Sequence, residues 1–246
     1  MVELKTEKIS AGSFDLNKWL YGGYEVGIIT MVAGPPGSGK TNFTILAACS
    51  QAKKGKKVIF IDTEGGFSPE RVKQIVGEGY EEILGNILLL EPRSFDEQRK
   101  IFSTLLDRLK KKDIGLIVID SMAMLYRLEM GGVVNSEGDV KIRNVNREMA
   151  EQMRVLAEIA RKEKIAVLIT NQVYKEFLSN EDFKNGKEPE TNIVGGDLFK
   201  YWSKCIIELK MSGGKRKAIL LKHRNLPPKE ISFEIRNEGI FKRSWL

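Results

Sequence analysis

The segment Gly34-Pro-Pro-Gly-Ser-Gly-Lys40-Thr41 constrains this chain more than any other feature. Its spacing, G-x-x-x-x-G-K-[ST], is that of a loop whose backbone N–H groups converge on an anion, with glycines where side chains would block the approach. The pattern arises by chance in roughly 1% of chains this long, and here its flanks agree with it. Gly27 to Ala33 reads as a strand, and Lys40 to Lys54 reads as a helix stopped by Gly55. The helix then turns its N-terminus, the positive end of its dipole, toward the anion. Lys40 suits the β and γ phosphates of a nucleotide, and the Thr41 hydroxyl suits Mg²⁺. The expected ligands are ATP and Mg²⁺, with Gly34, Pro35, Pro36, Gly37, Ser38, Gly39, Lys40, Thr41 and Asn42 as the nucleotide-binding set.

The rest of the chain alternates short apolar runs with helical patterns. Val58 to Ile61, Ile87 to Leu90, Ile114 to Ile119 and Ile165 to Ile169 read as buried strands, unbroken by polar residues as expected when both faces of a parallel sheet are covered. Ser68 and Pro69 open one helix, as N-cap and first helical residue. Ser94 and Glu97 open another with a capping-box pattern, ending near Lys112, and Asn146 to Lys162 is amphipathic. Arg127 to about Lys141 and Lys175 to Pro189 read as loops. Beyond them Ile206 to Leu209, Ala218 to Leu221 and Ile231 to Ile235 read as strands joined by turns. The expected fold is α/β, a mostly parallel sheet flanked by helices with antiparallel strands at its C-terminal end. No internal repeat or second domain is visible, so residues 1–246 are expected to form one domain.

Phosphoryl chemistry needs a carboxylate on the metal side and a group that acts on water. Asp120 ends the strand Leu116-Ile-Val-Ile119, at the edge where open α/β sheets bind ligands, and suits the Mg²⁺ shell. Glu64 follows the strand at Val58 to Ile61 and would emerge at the same edge, as the candidate base. Gln172, after Thr170-Asn171, is placed to sense the γ-phosphate and relay its presence to the following loop.

Taken together these segments resemble the RecA/RadA recombinase superfamily, over about Ile9 to Lys242. Ile61-Asp-Thr-Glu-Gly-Gly-Phe-Ser-Pro-Glu-Arg71 resembles the segment carrying the catalytic glutamate, and Val118-Ile-Asp-Ser121 the Walker B strand. Ile169-Thr-Asn-Gln-Val173 resembles the γ-phosphate switch, and Ile193-Val-Gly-Gly196 the end of the second DNA-binding loop. With few residues before the core, so that the recombinases' N-terminal helical domain is expected to be absent, the pattern is most similar to the archaeal RadB family. The resemblance implies a RecA-like P-loop ATPase core, DNA binding, weak ATP hydrolysis and an accessory role in homologous recombination and repair. It implies Lys40, Glu64 and Gln172 as the catalytic set, Thr41 and Asp120 as the Mg²⁺ side, and Arg71 as the residue stacking on adenine, a contact a guanidinium makes readily. Recombinase or junction-processing proteins are the implied protein partners.

The segment Gly131 to Gly138 stands where recombinases carry an arginine-bearing DNA loop, but its tip has no positive charge; Arg127, Lys141, Arg143 and Arg147 flank it. These four are the expected DNA contacts, through phosphates and independent of sequence, with single strands favoured. In the second loop Tyr174 and Phe177 offer stacking surfaces among several carboxylates. No Phe-x-x-Ala tether is found near the N-terminus, so strand exchange by the chain alone is not expected. Lys222 and Arg224, two apart on a strand and its continuation, would share a face with His223 opposite. Related assemblies place such a pair against a neighbour's γ-phosphate, so an ATP- or DNA-dependent homo-oligomer is expected, with these two as trans residues.

The net charge of +7, from 40 Lys and Arg against 33 Asp and Glu, favours an anionic partner. Cys49 and Cys205 lie in apolar runs, as buried thiols in a reducing compartment do. Without a membrane-spanning run or signal peptide, the cytoplasm is the expected location. The alternative is a KaiC-like ATPase switch acting through protein contacts without DNA.

Overall fold

The computed structural model describes residues 6–109, 113–131, 138–175 and 191–243. Two short strands, β1 (Lys8–Ile9) and β2 (Tyr24–Glu25), pair with each other beside α1 (Phe14–Trp19). Then follow β3 (Ile29–Gly34), α2 (Lys40–Ala52), β4 (Lys57–Asp62), α3 (Pro69–Val76), α4 (Tyr80–Gly85), β5 (Ile87–Leu90), α5 (Phe95–Leu109) and β6 (Ile114–Asp120). After α6 (Met124–Gly131), α7 (Gly138–Glu163), β7 (Ala166–Lys175), β8 (Thr191–Ile193) and α8 (Gly196–Trp202), the chain closes with β9 (Ser203–Ser212), β10 (Lys215–Lys222), β11 (Lys229–Arg236) and β12 (Gly239–Lys242).

Among the described residues the main sheet runs β12-β11-β10-β9-β3-β7-β6-β4-β5, with β8 against β7. From β9 to β5 every pairing is parallel; β10, β11 and β12 add antiparallel strands at one side. This is the expected α/β sheet with its antiparallel extension.

The apolar runs explain the layering. Alternate residues of a strand face opposite sides of the sheet. Val58 and Phe60, Leu116 and Val118, and Leu168 pack with α2 on one side. Ile59 and Ile61, Ile117 and Ile119, and Val167 and Ile169 pack with α5 and α7 on the other. Fully burying one such side chain stabilises by about 1.5–3 kcal/mol, so two covered faces hold every central strand in register.

The helix starts follow their caps. Ser68 accepts from the Arg71 N–H, with Pro69 at the first helical position. Ser94 accepts from the Glu97 N–H, and Glu97 reaches back to the Arg93 N–H.

Two expectations need correction. The first DNA loop is not a loop from Arg127: α6 carries Arg127, and α7 begins at Gly138 and carries Lys141, Arg143 and Arg147. Leu125 anchors α6, while Val145, Met149, Met153 and Leu156 continue one buried face of α7 past the polar residues that suggested a loop. The tip, 132–137, lies outside the described residues. The strand at Ile165 to Ile169 also runs further, to Lys175, because Val173, Tyr174 and Lys175 pair with β8. Tyr174 is therefore on a strand, and the remainder of the second loop, 176–190 with Phe177, is outside the described residues.

Candidate nucleotide site

Four parallel strands bring residues at or near their C-terminal ends to one edge of the sheet. Gly34 of β3 is in register with Gln172 of β7, and Asp62 of β4 with Asp120 of β6. The phosphate loop leaves β3 here. Gly39 caps α2 at φ +106°, where a side chain would be strained, and a Cβ there would lie 2.7 Å from Ile235 Cδ1. No side chain caps the helix, so its first N–H groups remain free for an anion. Lys40 Nζ donates to the carbonyls of Gly34 (3.0 Å) and Pro35 (3.1 Å). Burial lowers the Lys40 pKa, while Glu64 and Asp120 pull it back up.

The carboxylates are sorted by their partners. Asp62 is a structural acceptor: it takes the N–H groups of Glu64, Gly65 and Phe67 and so shapes the loop that presents Glu64. Thr63 ties that loop to Ser121, accepting from its N–H and donating to its carbonyl. Asp120 is 2% exposed; it accepts from the Thr170 hydroxyl through Oδ1, while Oδ2 is buried without a partner. Burial raises its pKa, opposed by the hydroxyls of Thr170 and Thr41.

A Cβ on Gly66 would fall 3.3 Å from Thr41 Oγ1 and 4.0 Å from Asp120 Oδ2, so both oxygens border one small volume kept open by a glycine. An orphaned carboxylate oxygen beside a hydroxyl at a phosphate loop fits a hard, oxygen-seeking dication such as Mg²⁺.

Gln172 Nε2 donates to Glu64 Oε1 at 3.1 Å, joining the candidate switch to the candidate base. Arg71 is held edgewise: Nε donates to Asn42 Oδ1 (2.7 Å), Nη1 to Gln74 and the Asn237 carbonyl, and Nη2 to the Arg236 carbonyl. With four of its five N–H groups so occupied, the guanidinium is left to meet a base chiefly through its faces. Phosphate loop, Thr41, Glu64, Asp120, Gln172 and Arg71, 138 residues apart at their extremes (Gly34 to Gln172), thus meet at one edge.

A cleft of about 510 Å³ opens over the loop, lined by Pro36, Gly37, Gly39, Lys40, Thr41, Asn42, Glu64, Gln172, Arg216 and Ile235. Arg216 and Ile235 were not legible as site residues. Both come from the antiparallel extension, whose β11 also sets Phe233 edge-on against Phe43 of α2, ring centroids 5.3 Å apart. One signal was present. Arg216, Ala218 and Leu220 share a face of β10, and the latter two are fully buried, so Arg216 is a cation on the inward face.

The other candidates lie elsewhere. Arg127, Lys141, Arg143 and Arg147 are on helices, and Lys141 pairs with Glu129 at 3.0 Å. Lys222 and Arg224 do not share a face against His223. The register shifts between Leu220 and Lys222 and β10 ends there, so strand alternation does not carry through. Lys222 donates to the Lys200 carbonyl, whereas His223 and Arg224 both turn to the buried Glu25, at 3.6 and 2.6 Å. β10 runs away from the loop-bearing edge, so this pair stands roughly 20 Å along the strand from Arg216. It has no access to its own chain's cleft.

A parallel α/β sheet with a phosphate loop, a buried strand-end aspartate and a paired glutamate and glutamine at one edge defines a RecA-like nucleotide-binding core. The chain belongs to the Rad51 family, whose model matches residues 4–243. Its relatives include proteins named "DNA repair and recombination protein RadB". That of Methanosphaera stadtmanae is 42% identical over 229 residues, covering 92% of each chain. That of Methanobrevibacter smithii is 40% identical over 230 residues, again 92% of each. That of Methanocaldococcus jannaschii is 40% identical over 225 residues, 92% of this chain and 98% of the relative. Among the described residues no helix is long and apolar enough to cross a membrane.

Proposed function

We propose that this chain is an ATP-binding, weakly ATP-hydrolysing DNA-binding protein that acts as an accessory factor in recombination and repair. The observation that carries the reading is the contact between Gln172 and Glu64 at the mouth of the phosphate loop. It joins the group suited to act on water to β7, three residues before that strand ends at Lys175. Family membership and the named relatives supply the DNA side of the reading.

The roles follow from chemistry. The free N–H groups of α2 and the Lys40 ammonium bind the β and γ phosphates. Thr41 and Asp120 hold Mg²⁺, which when bound offsets charge developing on the phosphoryl oxygens. Glu64 accepts a proton from, or orients, the attacking water, and Gln172 fixes its carboxylate until a γ-phosphate competes for the amide. Arg71 lies against the base. Arg127, Lys141, Arg143 and Arg147 bind DNA phosphates from α6 and the start of α7, and single strands are the favoured substrate.

The test is phosphate release with and without single-stranded DNA, in the wild type and in Glu64→Gln. DNA should stimulate the wild type, and the variant should lose turnover while keeping ATP affinity, within the roughly 10²–10⁴-fold that general-base catalysis contributes. Turnover unchanged in Glu64→Gln would remove Glu64 from the role. Hydrolysis indifferent to DNA would favour a switch acting through protein contacts alone.

A further inference from the structure

Arg216 is a cation placed without a counter-charge. It opens the inward face of β10, on the side of the sheet where α2 packs, and β9 brings it past the end of β3 to the loop-bearing edge. Its Nε is buried and has no partner. Its Nη2 reaches only the Gly37 carbonyl, at 3.5 Å, the outer limit of a hydrogen bond. Among the described residues no carboxylate pairs with it. Other inward-turned arginines of this chain are satisfied: Arg71 makes four hydrogen bonds and Arg224 holds Glu25. A guanidinium held half-buried with unspent donors is costly unless an anion completes it. It lines the same cleft as Lys40, Thr41, Glu64 and Gln172.

We infer that Arg216 contacts the terminal phosphate of a nucleoside triphosphate from within the same chain and makes the site prefer triphosphate over diphosphate. The inference rests on the nucleotide-site reading. The chemistry is that of a forked donor: a guanidinium binds two phosphoryl oxygens at once, while the Lys40 ammonium supplies a point charge. Arg216 reaches the loop from β10 at the Gly37 carbonyl, whereas Lys40, at the start of α2, is tethered to the Gly34 and Pro35 carbonyls. The two cations therefore clamp the phosphate chain from different directions. Arg216 also couples occupancy to the antiparallel extension, because β10 is hydrogen-bonded to β9 and β11 on either side. A γ-phosphate drawing on Arg216 would hold that extension against the loop, and its loss would release it.

Calorimetric titration of ATP and ADP, each with Mg²⁺, into the wild type, Arg216→Ala and Arg216→Lys tests this. Hydrogen bonds to a charged partner correspond to about 10–100-fold in affinity. Arg216→Ala should lose that much for ATP and less than about threefold for ADP, and Arg216→Lys, which keeps the charge but not the fork, should fall between. Melting curves of the nucleotide-free variants give the structural contribution separately, and the ATP-to-ADP affinity ratio is a readout that mere destabilisation does not move. ATP binding by the wild type with an unchanged ratio in Arg216→Ala would overturn the assignment alone. A wild type that binds neither nucleotide would overturn the nucleotide site and this assignment with it.

Discussion

Asp120 shows how a single residue can favour ligand binding over stability. Burial raises its pKa in the folded chain, so folding favours the protonated form. The stabilisation this gives is fully present below the unfolded pKa and is lost as pH rises through the raised folded value. The ionised carboxylate, with Oδ2 unpartnered, is therefore a cost that a bound cation offsets. Asp120→Asn should raise the melting temperature of the metal-free protein by about 2–4 °C, the shift that a kcal/mol gives in a domain of this size. It should also remove the Mg²⁺ dependence of ATP binding. Scanning calorimetry with and without Mg²⁺ checks both, and a lower melting temperature would contradict the argument. At this scale the sequence was informative wherever a residue's neighbours in the chain define its chemistry. Asp120 closes a strand, Lys40 and Thr41 open a helix and Glu64 follows the strand end at Asp62, and strand ends in parallel sheets gather at one edge. Arg216 lies 176 residues from Lys40, so only the strand pairing of the extension brings it to the loop.

The antiparallel extension is the element whose purpose was least visible. Its strands are legible as short runs joined by turns, but such runs do not say what the inward face meets. Phe233 meets Phe43 of α2, and Ile235 meets the phosphate loop at Gly39. β11 is thus a wall of the nucleotide cleft. Phe233→Ala should cost about 3–5 kcal/mol of stability through the cavity it leaves. It should also weaken ATP binding, because the start of α2 loses its backing. Denaturant unfolding and calorimetry measure the two effects. A destabilised variant with wild-type ATP affinity would mean that β11 supports the fold but not the site. The basic helices teach the converse. Gly, Asn and charge around residues 127–147 imitate a loop, yet Val145 and Met149 keep α7 buried on one side. A long amphipathic helix with a polar first turn is easily misjudged at its start, because the apolar period is sparse there.

Across the whole molecule the nucleotide cleft and the first basic helix issue from the same sheet edge, since α6 follows β6 and Gln172 lies near the end of the neighbouring β7. The parallel order was legible because buried strands alternate with helices; the side on which β9 to β12 attach was not, because it depends on the pairing of β9 with β3. If nucleotide and DNA are linked through this edge, DNA affinity must depend on ATP, and by reciprocity ATP affinity on DNA. The most direct measurement is fluorescence anisotropy of labelled single-stranded DNA titrated with the protein over a range of salt, with and without ATP·Mg²⁺, in the wild type, Lys40→Ala, and a charge-reversed Arg143/Arg147 variant. The account predicts binding that ATP strengthens in the wild type and not in Lys40→Ala. It predicts a log–log salt slope of about −0.7 per phosphate neutralised, flattened when Arg143 and Arg147 are reversed. DNA binding indifferent to ATP, or no DNA binding at any salt, would contradict it.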